Sequence, residues 1–197
     1  MRIIGGIHRG RKIHGPPTRG RGAGVTRPIT DRVKESLFNR LMARGATGGG
    51  RVLDIFSGSG SMGLEALSRG AEHCTFVEHN RTALKLLQRN LDELGLAEQA
   101  RVLPADALSA IWVNRLKTDE PFTLIFCDPP YAMSAEAEGM SRIVRLLELL
   151  GEVVGSDALA VVRTQRGVDA PAVERWRVLQ SDVYGSMAVH LYGRGEG

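Results

Sequence analysis

Arg51-Val52-Leu53-Asp54-Ile55-Phe56-Ser57-Gly58-Ser59-Gly60-Ser61-Met62-Gly63-Leu64-Glu65 reads as a strand, a glycine turn and the start of a helix. Val52, Leu53 and Ile55 are apolar and mostly β-branched, as a strand covered on both faces requires. Gly58 and Gly60 allow a sharp turn and leave room for a ligand at the strand's carboxyl end. Ser61 is placed to cap a helix from Met62 to about Ser68, stopped by Gly70.

Two ligands suit such a turn. Gly58-x-Gly60-x-x-Gly63 has the spacing of a dinucleotide-binding loop, and Glu78 follows at the interval of a ribose contact. Asp54 separates the two. A pyrophosphate wants a helix N-terminus and no carboxylate beside it. Asp54 instead favours a cation. S-adenosylmethionine carries an ammonium and a sulfonium and no phosphate, so it fits better than NAD. A plainer role for Asp54, capping backbone amides of the turn, stays open at this point.

The chain has 197 residues, of which 43% are hydrophobic, enough for one domain with an appendage. No apolar run is long enough to span a membrane, and the N-terminus lacks a signal-peptide apolar region. The two cysteines, Cys74 and Cys127, both fall in apolar strand-like runs and read as buried free thiols of a cytoplasmic protein. No Cys/His cluster has metal-ligand spacing, so no metal is expected. The charge is uneven. Residues 1–44 hold 11 of the 26 Lys and Arg against Asp31 and Glu35, a net of +9, and the remainder carries −5. A basic arm on an acidic body points to a polyanionic partner, most simply nucleic acid.

Taken in order, residues 2–14 predict a small hairpin bearing Arg9, Arg11, Lys12 and His14. Residues 15–25 read as a Gly/Pro/Arg-rich basic linker, or as a loop ordered only by RNA. Val33, Leu37 and Leu41 predict a helix from about Asp31 to Ala43. Strands and helices then alternate. Strands are predicted at His73–Val77, Ala100–Leu103, Thr123–Cys127 and Leu159–Arg163. Helices are predicted from Asn80 to about Leu94, over Ala107–Leu116 and over Ser141–Leu150. Trp176–Tyr184 and Ser186–Tyr192 close the chain as an antiparallel hairpin. Such repeated units imply a parallel sheet with helices on both faces and a ligand at the carboxyl ends of its strands. Asp54, Gly58, Glu78, Asp106 and Asp128 all fall at those ends.

Asp128-Pro129-Pro130-Tyr131 is the most informative tetrad. The prolines fix φ and remove two amide donors, which leaves carbonyl acceptors after the strand. Asp128 adds a carboxylate and Tyr131 a flat ring. Together they can hold an exocyclic amine between two acceptors while the ring stacks on its base. With Asp54-x-x-x-Gly58-x-Gly60, the tetrad resembles that of class I S-adenosylmethionine-dependent methyltransferases acting on exocyclic amines. Residues 26–39 (Thr26-Arg27-Pro28-Ile29-Thr30-Asp31-Arg32-Val33-Lys34-Glu35-Ser36-Leu37-Phe38-Asn39), residues 63–71 (Gly63-Leu64-Glu65-Ala66-Leu67-Ser68-Arg69-Gly70-Ala71) and the late Tyr184-Gly185 narrow the likeness. The chain is similar, over nearly its whole length, to the bacterial 16S rRNA guanine-N2 methyltransferases of the RsmD type. Ser57 and Met62 depart from the alanine and leucine expected there, and residues 18–24 are unusually rich in Gly and Arg.

The resemblance implies an α/β, Rossmann-like fold with a seven-stranded, mostly parallel sheet and an antiparallel last strand. It divides the chain into a basic RNA-binding arm (1–27) and a methyltransferase domain (28–197). Asp54 and the turn Ser57, Gly58, Ser59, Gly60 would face the methionine part of S-adenosylmethionine. Glu78, with His79 beside it, would accept from the ribose hydroxyls, and Asp106, followed by Ala107, from the adenine amine. Arg27, Thr30 and Asp31 would close over the cofactor or the target base. Asp128, Pro129, Pro130 and Tyr131 would form the catalytic clamp, and Arg9, Arg11, Lys12 and Arg27 would bind 16S rRNA, either naked or within an assembling small subunit. A monomer is expected. The rival readings are an adenine-N6 nucleic-acid enzyme, a release-factor glutamine methyltransferase, an NAD-binding oxidoreductase and a non-catalytic RNA-binding module. The NAD enzyme is disfavoured by Asp54 and the release-factor enzyme by Asp rather than Asn at 128.

Overall fold

The computed structural model describes residues 1–16, 29–116 and 120–195. Helix α1 (Asp31–Ala43) precedes β1 (Arg51–Ile55), α2 (Ser61–Ser68), β2 (His73–Glu78), α3 (Arg81–Leu94) and β3 (Ala100–Pro104). Then come β4 (Phe122–Cys127), α4 (Tyr131–Ala135), α5 (Ala137–Leu150), β5 (Val154–Gln165), β6 (Trp176–Tyr184) and β7 (Met187–Arg194). The seven strands of the described residues form one sheet in the order β3-β2-β1-β4-β5-β7-β6. The first five strands in that order run parallel; β7 is antiparallel to both β5 and β6. This is the seven-stranded arrangement expected from the sequence.

The period-2 alternation of each strand sends side chains into two cores. Val52, Phe76, Phe126 and Val161 pack with α1, α2 and α3 on one face. Leu53, Val77, Ile125 and Val162 pack with α5 and Trp112 on the other. Thr30 caps α1 with its hydroxyl, and Asn80 caps α3 by accepting from the Thr82 and Ala83 amides. Both helices have the predicted bounds.

Three expectations need correction. Ser61 does not cap α2 but is its first residue; Gly60, at φ 87°, is the cap residue and offers no side chain. The predicted helix over 107–116 is a 3-10 helix over Ala110–Leu116, because the Asp106 carboxylate and carbonyl take the Leu108 and Ser109 amides into a local turn. Third, the helix predicted over 141–150 begins at Ala137, and a short helix already starts at Tyr131, where the Pro130 carbonyl accepts from the Met133 and Ser134 amides.

The N-terminal hairpin forms around an Arg2–Lys12 bridge and lies on the body. Ile3 and Ile13 are buried in the same core as Phe38 and Leu64. The fully buried Glu65 carboxylate accepts from the Ile4 and Gly5 amides, each at 2.8 Å. It also pairs with Arg69 and, at 3.1 Å, with the buried Lys34 ammonium, which itself donates to the Arg2 carbonyl. Burial pulls the Lys34 pKa down against the opposing pull of Glu65. Beyond it, the Ile7 and His8 amides donate to the Ser68 carbonyl and hydroxyl at the end of α2.

Candidate active site

A cleft of about 320 Å³ opens at the carboxyl ends of β1, β2 and β4, lined by Asp54, Ser57, Gly58, Ser59, Glu78, His79, Asp128 and Pro130. The parallel register aligns these strand ends, since Ile55 pairs with both Val77 and Cys127. Phe56, the first loop residue, is held at φ 58°, a conformation rare outside glycine, so the turn begins immediately after the strand.

Asp54 is 1% exposed, and its Oδ2 accepts from the Gly63 amide at 2.8 Å. The carboxylate therefore satisfies the first turn of α2, which has no side-chain cap of its own. Burial pushes the Asp54 carboxyl up to about 8, opposed by the Gly63 amide and reinforced by Asp128 and Glu78. Gly63 is required by packing: a Cβ there would lie 2.3 Å from Phe76 and 2.6 Å from the Cys74 sulfur. Glu78 accepts from the Gly58 amide through Oε2 and from the His79 and Asn80 amides through Oε1. It thus ties the loop after β1 to the loop after β2.

On the far side of the cleft, the Asp128 amide donates to the Ile55 carbonyl at 3.3 Å. Its carboxylate pairs with the Arg163 guanidinium at the end of β5. Burial raises the Asp128 pKa, and Arg163 pulls it back. Arg163 lies 5.7 Å from the centre of the Tyr131 ring.

The remaining expected residues lie outside the cleft lining. Thr30 caps α1, and Gly60 is packed under Leu64 and Leu87. Asp106 is exposed beyond β3, adjacent to the Ala105 amide that donates to the Glu78 carbonyl, and Ala107 is buried in the second core. Pro129 and Tyr131 flank the cleft-lining Pro130. Arg9, Arg11 and Lys12 are exposed on the hairpin; Arg11 donates to the Glu93 carbonyl at 2.6 Å. Arg27 and the predicted linker from residue 17 onward lie outside the described residues. Arg163, Phe56 and Ile29 line the cleft without having been foreseen. A single charge ending the apolar run Leu159-Ala160-Val161-Val162 was the available signal for Arg163.

The sheet order, the loop after β1 and the acidic strand ends define a class I methyltransferase fold. In line with this, the structure matches "Putative methyltransferase yhhF from Escherichia coli" with a TM-score of 0.77 and 34% identity, covering 99% of this chain and 98% of that one. The family described as "Conserved hypothetical protein 95" matches residues 1–193, and the chain belongs to it. Relatives include "Putative rRNA methyltransferase YlbH" of Bacillus subtilis (strain 168), 37% identical with 98% of each chain covered. "Ribosomal RNA small subunit methyltransferase D" of Escherichia coli (strain K12) is 36% identical, with 98% of this chain and 90% of that one covered.

Proposed function

We propose that this protein transfers a methyl group from S-adenosylmethionine to the exocyclic N2 amine of a guanine in small-subunit ribosomal RNA. The observation that carries this reading is the meeting of Asp54, Glu78, Asp128 and Pro130 around one cleft, with Pro129 and Tyr131 flanking it in the chain. The cleft's carboxylates suit a cationic ligand and disfavour a phosphate. The buried Ser57 hydroxyl has no partner among the described residues, so a ligand group has a polar atom to meet there. Asp54 would face the ammonium and sulfonium, Glu78 the ribose hydroxyls and Asp106 the adenine amine. The likeness to ribosomal RNA methyltransferases over nearly the whole chain favours RNA as the substrate.

S-adenosylmethionine supplies a methyl on a sulfonium: the amine lone pair forms the N–C bond, and the C–S electrons return to sulfur. The chain's task is orientation. The guanine N2 lone pair is delocalised into the ring, so the two N–H bonds must be turned until it points at the methyl. Asp128 and the Pro129 carbonyl are the two acceptors; the Pro130 carbonyl is engaged by α4. Tyr131 stacks on the base, which must be unpaired or flipped. The nitrogen proton becomes acidic on methylation and passes to Asp128 or water, so no strong base is needed. Exposed Arg9, Arg11 and Lys12 meet RNA phosphates. Such work would place the protein in the cytoplasm.

The test is tritium transfer from labelled S-adenosylmethionine to ribosomal RNA from cells lacking the gene, followed by nucleoside mass analysis. N2-methylguanosine is the expected product. N6-methyladenosine would move the reading to the adenine enzymes, and no transfer to RNA would overturn it.

A further inference from the structure

Asp128 and Arg163 stand on neighbouring parallel strands, one residue beyond the paired Cys127 and Val162. They therefore leave the same face of the sheet at the same height. Arg163 is 5% exposed and sits at the junction of the cofactor cleft and a narrow apolar cavity lined in part by Ile29, Leu37, Phe126 and Val161. Its Nε meets the Asp128 carboxylate and its Cζ lies 5.7 Å from the centre of the Tyr131 ring.

We infer that Arg163 is a positioning residue for the target amine, holding the Asp128 carboxylate ionised and turned toward the cleft while backing the Tyr131 ring. The inference rests on the amine-clamp reading above. Its physical ground is the company Asp128 keeps. Among the described residues, the titratable groups around it are Asp54 from β1, Cys127 on its own strand, Tyr131 on α4 and Arg163 from β5. Asp54 repels a second negative charge, and burial disfavours any charge. Arg163 is the cation of this group. Arginine cannot lose its proton at working pH, and its planar fork can bond a carboxylate along one edge while its face meets an aromatic ring. The apolar backing lowers the local dielectric and strengthens the pair. A lysine would keep the charge but lose the plane.

The experiment is the pH dependence of the single-turnover methylation rate for the full-length protein and for R163K, R163M, R163Q, D128N and D128N/R163M. Calorimetric binding of S-adenosylmethionine confirms that each variant is folded. Loss of the cation should move the acid limb of R163M and R163Q to higher pH by about one to three units, since a carboxylate then ionises later. R163K should keep the limb in place but react more slowly. In the D128N background, R163M should add little further loss, because Arg163 acts through the group already changed. An unmoved acid limb in both R163M and R163Q, or additive losses in the double variant, would overturn the role of Arg163 while leaving the clamp intact. A D128N protein that reacts at the wild-type rate shows that charge at residue 128 is not needed, which overturns the inference and leaves the acceptor clamp standing.

Discussion

The two sides of the cleft are built differently. On the β1–β2 side, Asp54 and Glu78 are held by backbone: together they accept from the amides of Gly63, Gly58, His79 and Asn80. On the β4–β5 side, Asp128 is held by another side chain, Arg163. Backbone amides are fixed by the fold and do not change with sequence, whereas a side-chain pair is lost by one substitution. The cofactor half should therefore tolerate isosteric changes that the target half does not, and the substitutions below probe that difference.

The largest effect is expected at Asp128. Asp128→Ala removes an oriented acceptor, and the single-turnover methylation rate should fall roughly 10²–10³-fold, by analogy with other preorganised polar groups. S-adenosylmethionine affinity should stay near wild type in calorimetric titration. Asp128→Asn keeps an oxygen acceptor and should retain more activity than alanine. A wild-type rate for the alanine variant would make the tetrad no more than a turn.

Asp54→Asn is the matching change on the other side. An amide oxygen can still accept from Gly63, so the loop should keep its shape. What is lost is charge, and S-adenosylmethionine should bind roughly 10–100-fold more weakly, the worth of a charge-assisted hydrogen bond. The wild-type affinity should rise with pH, because the ligand's cations favour an ionised Asp54 whose carboxyl titrates near 8 when free. Stability runs the other way. Between an unfolded pKa of 3.8 and that folded value, the native state holds a proton that the unfolded chain has released. Asp54 therefore lowers stability as pH rises through this window, by at most about 1.4 kcal/mol per pH unit. Melting curves of Asp54→Asn across that range should lack this decline. If both proteins decline equally, Asp54 is not the group responsible.

The smallest effect on chemistry is expected from neutralising Arg9, Arg11 and Lys12 together. RNA affinity should weaken, and its salt dependence should flatten by up to about three units of slope, less for single strands. Single-turnover rates at saturating RNA should match wild type. An unchanged slope in filter binding would show that these side chains do not meet phosphate.

The same contrast explains what could be read from sequence. The cofactor half lies within Asp54–Asn80, where glycine spacing, strand patterning and caps are local signals; its strands and α3 are where the residues indicated. Asp54 lines the cleft and also takes the plainer role left open there, as amide acceptor for α2. The helix over 107–116 was mistaken because its apolar spacing does not reveal how strongly Asp106 draws the following amides into a turn. The pairing of Arg163 was hidden for a different reason. Its partner is 35 residues away, and only the pairing of β4 with β5 brings them together. Long-range side-chain pairs leave no periodic trace.

Glu65 has a consequence for how this chain can change over generations. It reaches the hairpin through the amides of residues 4 and 5, and Gly6 lies so close to the end of α2 that a Cβ would fall 1.6 Å from the Ser68 oxygen. Beside the buried Ile3 and Ile13 side chains, the attachment is written in main chain and in the absence of a side chain. Exposed positions such as Ile7, Arg9 and Lys12 are therefore free to drift toward a new RNA surface while the hairpin's seat stays fixed. A lineage can retune what the hairpin touches without disturbing where the cofactor loop stands, provided that residues 3, 6, 13 and 65 remain as they are.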